Sequence, residues 1–358
     1  MMIKKTLILF FTCVVAFSIS CTKDEWGGKI TKEQDVTVVE NRGSGLWGEE
    51  AEDKAQFMEN LTIGVEEGED HLMFNQYVSI AIDSELNIYI MDRQNHRLLK
   101  FDRSGNFIWE TGQKGQGPGE FQSPRDLELT PSKEVAVRDG SFIHLFNTDG
   151  EFLKTVRFKG RFLYFKILPD GRFLFNTWVR GEMGVVAEYH ARNGQIIKKF
   201  PDEYRYGPKL SGGGISFGGE FKIFDNKLYL SLPGTYEIRE YDLEGNILRK
   251  IRRDLKIKPP NIKFEDRGFL AGPSDVSGPC FLTKEKMMVN MLNIVEQKSE
   301  EEYESEKSLD FFNKKGHFLG TYKMPENQTL AAIDSKGMFY FIQWDPYPKV
   351  IRLKLILF

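Results

Sequence analysis

The sequence predicts an all-β fold, a six-bladed β-propeller of four-stranded antiparallel blades whose last blade is closed by an N-terminal strand. Three observations carry this expectation. First, one hairpin phrase recurs: FDRSGNFIWETG from Phe101, FNTDGEFLKTVRF from Phe146, YHARNGQIIKKF from Tyr189, YDLEGNILRKI from Tyr241 and FFNKKGHFLGTYKM from Phe311. Each copy holds an aromatic, a polar turn with Gly, then apolar residues in near alternation, and an internal repeat fixes architecture before any single residue does. Second, 29 Phe and many Tyr, Ile and Val crowd the strand-like runs of this 358-residue chain, as suits a pleated, half-buried surface. Third, beyond residue 30 no long segment keeps a 3.6-residue apolar period, so little helix is expected.

The units follow in order. In the first, IAID, NIYIMD, RLLKFD and FIWET read as four strands between Val78 and Trp109, joined by Ser84–Asn87, Arg93–Asn95 and Ser104–Asn106. Asn, Asp, Ser and Gly suit such turns because they tolerate positive φ or bond their own backbone. Four strands in about 32 residues make one propeller blade. Further units span residues 126–156, 164–200, 221–251 and 278–324, the last with an acidic tip at Glu296–Glu302 read as a solvated loop end. A sixth unit, from Leu330 to Phe358, supplies three strands only. The strand-like run Gln34–Glu40 stands alone near the other end, and a ring leaves open edges unless its termini meet. Val36–Val39 are therefore expected to complete the last blade. Spacings between the repeat aromatics are 45, 43, 52 and 71 residues, and the surplus lies in Pro201–Gly219 and Arg252–Pro279. Long loops in a compact fold are usually functional or disordered.

Residues 1–20 read as a signal peptide: Lys4 and Lys5, an apolar run from Thr6, and small residues before Cys21. Ser18-Ile19-Ser20-Cys21 resembles a bacterial lipobox, with Ser18 where the pattern usually has Leu. The resemblance implies acylation of Cys21, and cleavage near Ser20 without lipid stays open as the alternative. Thr22-Lys23-Asp24-Glu25 is similar to the surface-export signal of Bacteroidetes lipoproteins, which implies an outer-membrane lipoprotein at the cell surface. Residues 21–33 then form a tether and 34–358 a single domain. Without the leader, 47 basic residues face 52 acidic ones, a net charge of −5 with no basic stripe, so nucleic acid is not an expected partner. Cys280 is the one Cys left besides Cys13 and Cys21; it reads as a small buried apolar residue.

The first unit resembles an NHL repeat through Ile82-Asp83, Asn87–Ile90, Asp92, Asn95-His96-Arg97, Lys100-Phe101-Asp102, Gly105, Gly115, Gly117, Pro118, Gly119, Phe121 and Pro124. Later units keep the aromatic and the turn Gly but lose Asn-His-Arg. The chain from residue 34 onward is similar to the six-bladed β-propeller lipoproteins of Bacteroidetes. Physical chemistry accounts for most of the motif as blade construction. Asp92 flanks a turn and can accept backbone N–H groups, Arg97 can pair with it, and the glycines permit a tight crossing between blades.

Chemistry leaves few traces. Gly212–Gly219 lacks the Lys-Ser or Lys-Thr and the helix of a phosphate loop. No G-x-S-x-G elbow occurs. His71, His96, His144, His190 and His317 show no close ligand spacing, and the last four are expected near third strands or turns away from the axis, so no metal ligands are assigned. No cofactor is predicted, although a structural or channel Ca²⁺ stays open because its oxygen ligands have no fixed spacing. Contact residues are expected on the crossings between blades: Arg125 and Asp126, Arg138 and Asp139, Trp178 and Arg180, Tyr204 and Tyr206. Arg, Trp and Tyr are the side chains that anchor interfaces. Two readings follow. One is a lipid-anchored binding module for a protein, peptide or glycan at one face of the ring. The other, implied by kinship with propeller enzymes, is a Ca- or Zn-dependent lyase or lactonase-type hydrolase with its site in the central channel.

Overall fold

The computed structural model describes residues 26–159, 162–178, 185–199, 220–232, 235–257, 262–265, 268–271, 276–298 and 303–358. It is a six-bladed propeller. Blade 1 consists of Val78–Ile82, Ile88–Asp92, Arg97–Phe101 and Phe107–Thr111, paired antiparallel in chain order. Blade 2 spans Pro124–Arg157, blade 3 Phe162–Lys199, blade 4 Lys222–Arg253, blade 5 Val276–Met324 and blade 6 Gln328–Leu357. Among the described residues the one α-helix is the single turn Ala51–Lys54, and no helix is long and apolar enough to cross a membrane.

The recurring phrase builds the outer hairpin of each blade. Asp102 Oδ1 accepts the N–H groups of Ser104 at 2.7 Å and Asn106 at 2.9 Å, and Gly105 takes φ +85°. Asn147, Asp242 and Asn313 accept from the residues two and four further on in the same way. A short side-chain oxygen at the turn's first position thus satisfies backbone donors that the tight turn leaves over. The preceding aromatic sits at a β-bulge and is fully buried in Phe101, Phe146, Tyr241 and Phe312.

Blade 3 corrects the sequence alignment by one residue. The bulge falls between Tyr189 and His190, and His190 pairs with Ile196 as Phe101 pairs with Phe107. The repeat aromatic of this blade is therefore His190, packed edge-on against Phe158, Phe162 and Phe175. Counting back four residues from the turn glycine gives this answer in every copy: Gly105, Gly150, Gly194, Gly245 and Gly316.

Ring closure also differs in detail. An N-terminal strand does close blade 6, but it is Ala55–Ile63, antiparallel to Lys349–Leu357 with Val350 opposite Ile63 and Leu357 opposite Ala55. Val36–Val39 do not complete that blade. Val36–Asn41 instead runs parallel to Ile247–Arg253 and extends blade 4. Lys29–Glu33, inside the segment expected to be a tether, pairs with it as the outermost strand. Between these two strands the chain follows the outer edge of blade 5, where Leu46 N–H and Trp47 N–H donate to Phe318 O and Leu319 O at 3.2 and 2.7 Å. A Cβ on Gly45 would lie 2.5 Å from Leu319 O, so this passage requires glycine. Residues 26–63 are thus a strap across the outer edges of blades 4, 5 and 6. An edge strand left bare is a template for unwanted pairing, and the strap covers three in succession.

Candidate functional site

The first strands of all six blades line an axial cavity of about 410 Å³. Most of the lining side chains are apolar, including Ile80, Leu127, Ile223, Leu282 and Ala332. Three lining residues are charged, Glu128, Lys166 and Lys222, and Glu220 pairs with both lysines. Lys166 Nζ lies between Glu128, with which it makes a short contact, and Glu220 at 2.7 Å, and Lys222 Nζ reaches Glu220 at 2.8 Å. Lys166 and Lys222 each follow a buried Phe and precede an Ile, in the tripeptides Phe165-Lys166-Ile167 and Phe221-Lys222-Ile223. The strand directs the preceding Phe into the core and leaves the lysine to find carboxylates at the axis. That flanking pattern was the signal for this cluster, which sequence reasoning missed.

The chain of charges is neutral overall. Burial acts against every member. For Lys166 the two flanking carboxylates outweigh burial and raise its pKa. Burial likewise opposes ionisation of Glu220, but the Lys166 and Lys222 ammonium groups hold it down at about 2. At the ends, burial prevails: Glu128 is raised and Lys222 lowered. A divalent cation needs several open oxygen ligands. Here both carboxylates are taken by ammonium groups, and among the described residues no three His, Cys, Asp or Glu side chains come together to hold a metal. The donor set does not fit a channel metal. The described histidines lie elsewhere: His144 bonds Thr155, His190 bonds Glu188, and His317 stacks on Trp26 at 3.8 Å. Cys280 is fully buried, and burial pushes its thiol up to about 12, as an inert core residue requires.

The upper face, where each first strand begins, holds Arg125, Asp126, Arg138 and Asp139 among the sequence candidates. Arg125 is exposed, and its carbonyl accepts from Ser79 Oγ at 2.8 Å, joining blades 2 and 1. Asp126 receives Arg138 Nε at 2.8 Å, and Arg138 also donates to Phe162 O at 3.1 Å. Asp139 is buried and accepts the N–H groups of Gln122 at 2.6 Å and Ser123 at 2.7 Å, which anchors the crossing from blade 1. It is built into the frame rather than presented to a ligand. Trp178 ends the second strand of blade 3. Arg180, Tyr204 and Tyr206 lie outside the described residues, as do Cys21 and the loop Pro201–Gly219. Of Arg252–Pro279, the described part includes a hairpin of Ile262–Glu265 with Gly268–Ala271.

Sequence reasoning missed two residues at this mouth. Arg93 directly follows the second strand of blade 1; its N–H donates to Tyr77 O at 3.1 Å and its guanidinium lies 5.4 Å from the Tyr77 ring centroid. Among the described residues its Nε is buried without a hydrogen-bond partner. Burial first, then the like charge of Arg125, lowers its pKa, with Asp126 opposing. Asp92-Arg93 in blade 1 and Arg138-Asp139 in blade 2 end equivalent strands, since Val78 pairs with Asp92 as Pro124 pairs with Asp139. That equivalence was the available signal.

The Asn-His-Arg phrase is part of the frame. Asp92 Oδ2 receives Asn95 Nδ2 at 2.7 Å and Arg97 Nε at 3.2 Å, while Arg97 Nη2 donates to Asp70 O and Met73 O at 2.8 and 2.9 Å. Gly219-Glu220-Phe221 echoes Gly119-Glu120-Phe121 in part. Phe121 and Phe221 are both buried, but Glu120 braces its own crossing by accepting Gly117 N–H at 2.8 Å, whereas Glu220 belongs to the axial charges.

Ring, strap and axial channel define a closed six-bladed propeller. Residues 67–330 match the family DUF5128, described as a 6-bladed beta-propeller, and the chain belongs to that family. The chain is 27% identical over 165 residues to NHL repeat-containing protein 3 of Homo sapiens, covering 40% of this chain and 45% of that protein. It is 31% identical over 100 residues to peptidyl-glycine alpha-amidating monooxygenase of Mus musculus, covering 25% of this chain and 10% of that protein. The chain thus spans less than half the length of these relatives. Among solved structures, a member of the duf4221 family from Bacteroides vulgatus superposes with TM-score 0.62 at 13% identity, covering 85% of this chain and 99% of that one. A protein described as exported from Bacteroides fragilis superposes with TM-score 0.58 at 14% identity, covering 90% and 99%. Both likenesses concern the fold.

Proposed function

We propose that this protein is an exported, lipid-anchored binding module that takes a protein, peptide or glycan ligand on the upper face of its ring. In this reading residues 1–20 direct export, Cys21 carries the acyl anchor, and the module sits at the outer membrane facing outward. The observation that carries the reading is the contrast between channel and mouth. The axial charges satisfy one another, while Arg93 and Arg125 have no carboxylate partner among the described residues. Charges paired within a protein stiffen it; guanidinium groups held at a rim without acceptors are available to a ligand. The closed ring keeps those groups in place before binding, which limits the ordering cost of association.

The test is binding of the purified protein to glycan and peptide arrays, wild type against Arg125→Glu. Arg125 is exposed, so the change leaves the fold intact. Saturable binding by the wild type that Arg125→Glu abolishes supports the module. Turnover of an array compound that depends on added Ca²⁺ or Zn²⁺ defeats it in favour of a channel enzyme.

A further inference from the structure

We infer that the mouth at the seam of blades 1 and 2 binds a uronic-acid residue of a glycan, its carboxylate held by Arg93 and Arg125 and its ring by Tyr77. The inference rests on the binding-module reading and names a ligand class for it.

Arg93, Arg125 and Arg138 stand close enough at this seam to act on one another, with Asp126 among them, while Asp92 and Asp139 are taken up by the frame. Arg138 is engaged by Asp126 at 2.8 Å and by Phe162 O at 3.1 Å. Arg93 and Arg125 are not so engaged among the described residues, and both are fixed from behind. The Arg93 backbone is tied to Tyr77 O at 3.1 Å, and the Arg125 carbonyl is tied to Ser79 Oγ at 2.8 Å. Among the described residues Arg93 Nε is buried with no acceptor. A buried donor without a partner is costly, and in a native structure it asks what acceptor completes it. The planar fork of a guanidinium matches a carboxylate bidentately.

The neighbouring surface selects a sugar over a peptide. Tyr77 is 53% exposed, an aromatic ring presented beside the cations rather than packed away. Aromatic rings offer flat apolar surface to a pyranose ring, and a uronic acid carries such a ring and a carboxylate in one residue. An extended peptide would need a free sheet edge or an apolar groove. The open outer edges, among them Phe107–Thr111 of blade 1, Phe152–Arg157 of blade 2 and Lys29–Glu33 on blade 4, lie on the rim of the ring, whereas the arginines stand at the mouth of blades 1 and 2.

The experiment is isothermal titration calorimetry on the purified protein with three probes: a glucuronate-containing disaccharide, its neutral glucose counterpart and a tetraglutamate peptide. The acidic disaccharide should bind, the other two should not, and Arg93→Gln and Arg125→Gln should each weaken binding about tenfold. Unfolding temperatures of both variants matching wild type show that the loss is local. Equal binding of the neutral sugar, preference for the peptide, no binding at all, or an unchanged affinity in Arg125→Gln overturns the inference. A peptide or neutral-glycan hit on the arrays, with no uronate binding here, sinks this inference and leaves the binding module standing. Metal-dependent turnover sinks both.

Discussion

Asn41 Oδ1 accepts the backbone N–H of Phe318 at 2.7 Å, across 277 residues of chain. The same side chain donates to Arg252 O and Gly316 O at 3.0 Å each and accepts Trp26 Nε1 at 2.8 Å. One fully bonded, buried amide thereby joins the strap, the outer strand of blade 4 and the outer hairpin of blade 5. Asn41→Ala strands three backbone groups in a dry seam and should cost about 3 kcal/mol. Denaturant unfolding checks this; a loss under about 0.5 kcal/mol would mean the clamp is idle.

Closure by Ala55–Ile63 yields a contrast between two strap positions. Phe57 meets Tyr322, Phe339 and Phe341 edge-on at 4.9, 5.0 and 5.6 Å. Phe57→Ala should destabilise by about 3 kcal/mol. Ile30, 59% exposed on the outermost strand, should tolerate Ser within about 0.5 kcal/mol. The reverse order would place the closing strand at Val36–Val39 after all.

Lys166 holds two carboxylates together at the axis. Lys166→Met leaves Glu128 without a counter-charge while Glu220 keeps Lys222, and should cost about 3 kcal/mol, most of it recovered when Glu128→Gln is added. Equal instability of single and double variants would show that volume matters there rather than charge.

The pH dependence has a definite sign. Glu220 falls from its ordinary 4.5 to about 2, because the lysines outweigh the burial that would raise it. A carboxyl depressed on folding adds stability above its unfolded value, and that contribution drains away as pH falls from about 4.5 toward 2. The gap in unfolding temperature between wild type and Glu220→Gln should therefore be full at pH 7, narrow below about pH 4.5 and close only toward pH 2. A constant gap across that range contradicts the charge chain.

The proposed acyl anchor depends on one atom. Cys21→Ser should move the protein from the membrane fraction to the soluble one, with the propeller still folded by circular dichroism. Unchanged membrane association contradicts the acyl anchor.

Much of the fold was legible because blade hairpins carry their own chemistry. Asp102, Asn147, Asp242 and Asn313 announce their turns locally, and the buried aromatic before each follows from the turn. Ala191 has no side-chain oxygen at that position, and there the reading slipped by one residue to Tyr189. Closure was harder. Val36–Val39 is the more apolar run, and apolarity marks a strand without naming its partner. Ala55, Phe57, Leu61 and Ile63 turn inward while Gln56, Met58, Glu59, Asn60 and Thr62 are exposed, and the run stands just before blade 1, so chain proximity was the better guide. The axial charges and Arg93 escaped notice because their meaning is convergence. Glu128, Lys166 and Glu220 come from blades 2, 3 and 4, and only closing the ring brings them within bonding distance.

The central claim is that the channel is a salt-bridged support and that recognition belongs to the mouth above it. Elemental analysis of the purified protein, paired with unfolding temperatures with and without a chelator, tests this most directly. The account predicts less than about 0.1 equivalent of Ca or Zn and no shift on chelation. A stoichiometric metal whose removal lowers the unfolding temperature would contradict it.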